Sequence, residues 1–433
     1  MENQKFDLLI KDGIVVTQDP SHRVLENYSI GINGDKIEFI GHSAEIPPNY
    51  SILETIDAKN CVIIPGLINT HGHLPMTLFR GMVEDKKLVD WLSDVWKKEQ
   101  EICSPDAVYY GSKLAICEMI RGGITFANNM YWFPEQTANA AVEAGFRLAD
   151  GPIFTDLVGY NKNQGSSFTQ AEEYVEKYLN HPLIYPIIQI HSVYTDSIDK
   201  LREAKNASLE FDIPFATHAS ETLNEIEITL KKYGLTPIEL LQKEGLLTSK
   251  TLLAHCVHLY DHEIDYLSEA GTSVAHCPSS NLKLGSGIAE ISVMISKNVN
   301  VTIGTDGVAS NNNLDMFEES HLAALVQKGY NKNPNLLNSH QMFDMMTING
   351  AKAFGIEDKL GSIEVGKLAD LVIIDIRKPH LLPLNDVYAQ LLHSANSNDV
   401  RDTIINGNIV LRNKQFTTLN FDQIISNIDQ ILS

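Results

Sequence analysis

Residues 61–81 read CVIIPGLINTHGHLPMTLFRG, an apolar, β-branched run that leads into His71-Gly72-His73. Alternate residues of an extended chain project to the same side. The run therefore brings two imidazoles together just beyond a strand end, where both can reach one metal ion. Outward from it the pattern recurs: THASE around His218, LLAHCVHL around His255 and VTIGTDGVASNNN around Asp306. Each puts a ligand-type or proton-carrying side chain directly after a β-rich apolar segment. Together the four segments read as a metal-dependent hydrolytic enzyme.

Between these segments the periodicity changes to that of helices. SPDAVYYGSKLAICEMIRGG and TPIELLQKEGLL carry the helical pattern, and Ser104-Pro105 and Thr236-Pro237 supply cap-plus-proline starts. They alternate with the short strands ITFANNM, LIYPIIQIH, IPFATHAS, TLLAHCV, TSVAHCP and NVTIGTD. This alternation predicts the α/β class and a (β/α)₈ TIM-like barrel, in which reactive side chains gather at the C-terminal ends of the strands. His71, His73, His191, His218, His255, His276 and Asp306 all fall at or just past such ends. The two ends of the chain differ from the middle. FDLLIKDGIVV and YSIGINGDKIEFIG at one end, and GSIEVGKLADLVIID and VRDTIINGNIVLRN at the other, read as strands, with a hairpin turn at Asn406-Gly407. The expected organisation is a catalytic barrel over residues 61–359 and a small β-sandwich built from residues 1–60 and 360–433.

The bulk properties narrow the function. At 433 residues the chain suggests about two to three domains on length alone. Its formal charge of −21 argues against nucleic acid or an anionic membrane as partner. No apolar run approaches the ~20 residues that span a bilayer, and MENQKFDLLIKDGIVV lacks the layout of a secretory signal. Five scattered cysteines without a C-x-x-C pair suit free thiols in a reducing compartment, so a cytoplasmic protein is expected. Gly361–Lys367, GSIEVGK, nearly spells a phosphate-binding loop. However, Leu368 stands where Ser or Thr is required, and a strand follows instead of a helix.

PGLINTHGHLPMTLFRG, THASET, LLAHCVHL, AHCPSSNLKLGSGI, IGTDGVASNNNLDMFEE and GSIEVGKLADLVIID resemble the amidohydrolase superfamily nearly end to end. The resemblance is closest to its 5′-methylthioadenosine/S-adenosylhomocysteine deaminase branch. It implies that His71, His73, His218 and Asp306 hold one ion per subunit, Zn²⁺ with Fe²⁺ as the alternative. It implies Glu221 as the proton shuttle, Asp306 as acceptor of the water's proton, and His255 as the stabiliser of the tetrahedral intermediate. His258 is the rival for that last role, but it falls beyond the strand end. In two-metal relatives a carboxylated lysine ends the fourth strand. QIHSVYT has His191 there, which favours one metal and makes His191 a substrate contact or a core histidine. Trp91 matches a pocket tryptophan and Glu99 a ribose-binding glutamate, although the segment between them is one residue shorter. Helical spacing alone would make them a core residue and a solvated charge. Ser310 is a further candidate contact. Two positions depart from the branch: Asn129 replaces an Asp, and Gly151-Pro152 stands near the place of an arginine that grips the homocysteine carboxylate.

The expected reaction is replacement of an exocyclic amino group by oxygen, with release of ammonia. The expected small-molecule substrates are adenosine-type nucleosides, methylthioadenosine or adenosine before S-adenosylhomocysteine. Deamination of a free base or pterin, or triazine dechlorination, is the nearest rival. A metal-containing, non-catalytic binding scaffold is the rival from another class. Homo-oligomer formation is left open.

Overall fold

The computed structural model describes residues 5–46, 48–157 and 165–433. Its parallel strands follow one another in chain order. Leu67–Asn69, Ile124–Asn128, Arg147–Asp150 and Ile184–Pro186 form one ladder. Ile153–Phe154, Ile188–Ser192, Phe215–Ala219, Thr251–His255, Ser273–His276 and Asn300–Ile303 form a second. The third and fourth strands are thus each split between the two ladders. The break in the third falls at Gly151-Pro152, where a Cβ on Gly151 would lie 2.1 Å from the Ile187 carbonyl oxygen. At the other side, Thr70 N donates to Ile303 O (3.1 Å) and Asp306 N to His71 O (3.0 Å), tying the last strand to the first. This is a TIM-like α/β barrel.

The helices between the strands begin where local chemistry says they should. Ser104 Oγ accepts from Ala107 N at the head of Pro105–Arg121, which ends at Gly122. Thr236 and Glu239 close a capping box at the head of Pro237–Lys243. In the barrel strands the alternation that marks a half-exposed sheet is missing. Phe215–Ala219 and Thr251–His255 are buried at every position, as parallel strands covered on both faces must be.

The two chain ends meet in one nine-stranded sheet, bonded as a continuous ladder and not as two separately bonded layers. Cys61–Pro65 is its keystone, parallel to Lys5–Val16 on one side and antiparallel to Leu371–Asp375 on the other. The opening run therefore serves two sheets, Cys61–Pro65 in this one and Leu67–Asn69 in the barrel. The change falls at Gly66, where any Cβ would strike Thr125 Oγ1 at 2.0 Å. Asn406 and Gly407, both at positive φ, turn the chain between Val400–Ile405 and Asn408–Arg412. Among the described residues no helix is long and apolar enough to cross a membrane.

Arg147 fastens the barrel to this sheet. It is fully buried and bonds Asp370 through two nitrogens, Nε to Oδ2 at 2.8 Å and Nη2 to Oδ1 at 3.1 Å. Nη2 also reaches Asn406 Oδ1 (2.7 Å) and Nη1 the Pro182 carbonyl (2.5 Å). Arg147 is thus structural and cannot serve a substrate. Removing one partner of such a pair leaves a buried charge unpaired, which costs about 3–5 kcal/mol. Arg147→Met is expected to lower the unfolding free energy by that order, and with it the denaturation midpoint, while activity per folded molecule stays unchanged. An unaltered midpoint would contradict this account of how the two parts are joined.

Candidate active site

Four side chains converge at the C-terminal mouth of the barrel. His71 and His73 follow the first strand, His218 lies in Phe215–Ala219, and Asp306 follows Asn300–Ile303. His73 Nε2 and His218 Nε2 are 3.4 Å apart. Asp306 Oδ1 is 3.2 Å from His73 Nε2 and 3.5 Å from His71 Nε2. The donor atoms of His71, His73 and His218 lie within 4.8 Å of one another.

The hydrogen bonds at the other ring nitrogens test whether this cluster suits a cation. His73 Nδ1 donates to Met130 O (2.6 Å), and His218 Nδ1 donates to His191 O (2.7 Å). In the neutral imidazoles both Nε2 atoms then carry lone pairs, and these face each other across 3.4 Å. His71 Nε2 is buried without a hydrogen-bond partner. Burial lowers His71 to about 4 and His218 well below the usual imidazole range, so both stay neutral and able to donate electron pairs. Burial would raise the Asp306 carboxyl, but the neighbouring His71 and His73 imidazoles hold it well below the ordinary value. Burial works to lower His73, but Asp306 and the Met130 carbonyl raise it. Neutral His71 and His218 and the ionised Asp306 around one point supply donors of the kind that hold a divalent ion.

Asp306 is itself held from behind. Its Oδ2 accepts from Ser280 Oγ (2.6 Å) and Ser310 Oγ (2.8 Å), and its Oδ1 from Gly307 N (2.8 Å). Ser310 thus spends its hydroxyl on Asp306 and is not among the residues lining the cavity.

Across the cluster stand Glu221 and His255, with Glu221 Oε2 3.8 Å from His255 Nε2. Burial raises the Glu221 carboxyl, partly offset by His255. His255 Nδ1 donates to Asn281 Oδ1 at 2.8 Å. Burial works to lower that imidazole, yet Glu221 and Asp306 outweigh it and raise it. The backbone here is strained: Ser220, His255, Cys256 and Asp306 all have positive φ, a conformation that costs about 1–3 kcal/mol per non-glycine residue and clusters at functional sites. His258 lies outside the cavity wall, its ring bonded to Ser286 O (2.7 Å), while Ser286 Oγ donates to Glu221 Oε1 (3.0 Å).

A cavity opens from the cluster, lined by His191, Trp91, Glu99 and a set of aromatic rings that includes Trp96, Tyr131 and Trp132. Trp91 and Glu99 share the buried face of helix Leu88–Ile102. The Trp91 indole N–H has no partner. Glu99 Oε1 accepts from Tyr131 Oη at 2.5 Å, and burial pushes the Glu99 carboxyl up to about 7. His191 presents its ring to the cavity and bonds Thr195 Oγ1 at 2.9 Å. Asn129 faces away, bonded to Leu74 N and to Asp150. His276 is buried but is not among the lining residues.

Ser280, Asn281, Ser286 and Glu225 were not singled out by sequence reasoning. The first three lie in SSNLKLGSG, a stretch that carries the family resemblance after the seventh strand without marking which of its polar residues serve the site. Their burial is the sign of their role, and one sequence does not display it.

Residues 62–410 match the Amidohydrolase family. The chain is 38% identical over 421 residues to a 5-methylthioadenosine/S-adenosylhomocysteine deaminase of Thermodesulfovibrio yellowstonii, covering 96% of each chain. It is 39% identical over 406 residues to a 5′-deoxyadenosine deaminase of Methanocaldococcus jannaschii, covering 92% of this chain and 94% of that one. Among solved structures, a zinc-bound adenosine deaminase from Xanthomonas campestris superposes with a TM-score of 0.95 at 33% identity, over 99% of this chain and 98% of that one. With a family match over residues 62–410 and a relative 38% identical over 96% of the chain, the protein belongs to the amidohydrolase family.

Proposed function

We propose that the protein is a zinc-dependent hydrolase that deaminates adenosine-type nucleosides, methylthioadenosine or adenosine before S-adenosylhomocysteine. The observation that carries this reading is one cavity with a cation-binding cluster, Glu221 and His255 at its head, and a buried carboxylate, Glu99, also in its wall. The names of the relatives, deaminases of methylthioadenosine, 5′-deoxyadenosine and adenosine, support it. His71, His73, His218 and Asp306 would hold one ion, with Fe²⁺ as the alternative to Zn²⁺. A divalent ion there lowers the pKa of water towards about 7 and so makes hydroxide available.

The residues supply the remainder. Glu221, kept protonatable by burial, delivers a proton to the ring nitrogen beside the amino-bearing carbon. His255, with its second nitrogen fixed on Asn281, donates to the oxygen that develops at that carbon. Asp306 takes the proton given up by the attacking water. Ser280 and Ser310 act through Asp306 by fixing its Oδ2. Asp306 passes the water's proton to the amino nitrogen, which leaves as ammonia as the C–N bond breaks. The new hydroxyl returns its proton to Glu221 as the C=O bond forms. Glu99 offers its free Oε2 to the ribose hydroxyls, Trp91 its N–H and ring, and His191 its ring to the base. No Lys or Arg lines the cavity among the described residues, and Gly151 has no room for a side chain. An amino-acid carboxylate at the 5′ position thus finds no cation among the described residues, which disfavours S-adenosylhomocysteine.

Hydrogen bonds to a charged group contribute about 1.5–3 kcal/mol, so Glu99→Gln is expected to raise KM for the nucleoside by roughly 10- to 100-fold. Turnover of free adenine should not change. If the wild-type enzyme uses the free base faster than the nucleoside, Glu99 is not a sugar clamp and the free-base rival takes over.

The same reading takes residues 61–359 as the catalytic barrel, closed to eight strands through the Thr70–Ile303 bond. It takes residues 1–60 and 360–433 as a β-sandwich formed by folding of the shared sheet. Five unpaired, buried cysteines support a reducing, cytoplasmic setting.

A further inference from the structure

Helix Leu223–Tyr233 opens with Thr222 as its cap, and Thr222 Oγ1 accepts from Glu225 N at 3.3 Å. Glu225 therefore holds the third helical position, where a carboxylate ordinarily turns back onto the cap residue's own N–H. Elsewhere in this chain it does so: Glu239 bonds Thr236 N at 2.9 Å, and Gln170 and Gln341 close the same box at Ser167 and Asn338. Glu225 does not. Its Oε1 accepts from Ser220 N (3.0 Å) and its Oε2 from Glu221 N (2.7 Å), two residues and one residue upstream of the cap.

Those two amides belong to the turn that aims Glu221. Ser220 has a φ of +52°, a conformation that costs energy for any residue with a Cβ and persists only where the surroundings enforce it. Glu225 is 1% exposed. Burial pushes the Glu225 carboxyl up to about 7, the two bonds from adjacent amides oppose that rise, and they fix the peptide plane between them. Ser286 holds only one oxygen of the Glu221 side chain. The backbone from which that side chain springs is held by Glu225.

We propose that Glu225 is a positioning residue for Glu221: its carboxylate clamps the Ser220–Glu221 peptide and so sets where the proton shuttle sits. This rests on the reading of Glu221 as shuttle given above.

In Glu225→Gln one oxygen becomes an NH₂ group that cannot accept, and one of the two amides is released. Displacements of about 1 Å cost on the order of 10²-fold in rate. The test is steady-state methylthioadenosine deamination by the zinc-loaded full-length wild type, E225Q, E221Q and the double variant, with metal content measured on each. The expected result is a kcat lowered on the order of 10²-fold in E225Q, with KM and bound metal unchanged. E225Q should slow the E221Q background no further. Wild-type kcat in E225Q, or losses that multiply in the double variant, would overturn the proposal. Should E225Q not fold, E225D takes its place: a shorter carboxylate keeps the charge but cannot span both amides, so it too must lower kcat and not KM. A fully active E221Q would refute the shuttle reading itself, a result distinct from either outcome for Glu225.

Discussion

Glu221→Gln is expected to keep its fold and its bound metal and to lose turnover by on the order of 10²- to 10⁴-fold, the range that positioned general acid–base catalysis contributes. The substitution is nearly isosteric. The amide carbonyl can still accept from Ser286 Oγ, which holds Oε1 in the wild type at 3.0 Å, and the Ser220–Glu221 peptide stays in the grip of Glu225. What disappears is a group that can take up and release a proton at neutral pH. In the wild type, burial raises the Glu221 carboxyl towards that range, and His255 at 3.8 Å limits the rise. Ammonia release and metal content, measured on the same preparation, check this. Loss of metal together with activity would mean that Glu221 is part of the cation site, and full activity would mean that the proton comes from elsewhere.

Asp306→Ala is expected to lose both metal and turnover. Asp306 Oδ1 lies 3.5 Å from His71 Nε2 and 3.2 Å from His73 Nε2, and the carboxylate is ionised because His71 and His73 oppose the effect of burial. Loss of an outer hydrogen-bond partner of a ligand typically costs roughly 10–100-fold in metal affinity. Loss of the ligand itself should exceed that. Ser310→Ala, which removes one of the two hydroxyls on Oδ2 and leaves Ser280, should fall within the smaller range. Zinc titration of the three proteins gives the ranking. An Asp306→Ala protein that binds zinc as tightly as the wild type would contradict the proposed ligand set.

How much of this could be read from sequence differs between parts of the molecule. The strand-end positions were legible because burial on both faces leaves runs such as TLLAH unbroken, and the first polar residue after each run marks the barrel mouth. Helix starts at Pro105 and Pro237 and the turn at Asn406-Gly407 were legible because capping and positive φ are local chemistry. The division of CVIIPGLIN between two sheets was not. It depends on Gly66 meeting Thr125, some 60 residues away. Nothing near Arg147 in the sequence names its partner, and only Asp370, far along the chain, makes it a fastener.

In the site the ligand-type residues were legible by type and spacing, whereas their supports were not. Glu225 reads as an ordinary acidic residue in a first helical turn, and nothing local says that its carboxylate reaches past the cap to Ser220 and Glu221. His258 was placed outside the reacting shell by its distance from the strand end. Its bond to the carbonyl of Ser286 gives it a definite supporting place behind Glu221. Ser310 was grouped with substrate contacts by proximity to Asp306, and its hydroxyl is committed to that carboxylate.

The most direct test of the central claim is ammonia release by the zinc-loaded protein across methylthioadenosine, adenosine, S-adenosylhomocysteine, guanine and cytosine. The account predicts turnover of the first two, with S-adenosylhomocysteine poor because no described residue of the cavity wall offers a cation. Turnover of a free base with silence on every nucleoside would contradict the assignment of Glu99 and of the substrate class, and silence on all five would contradict the deaminase reading.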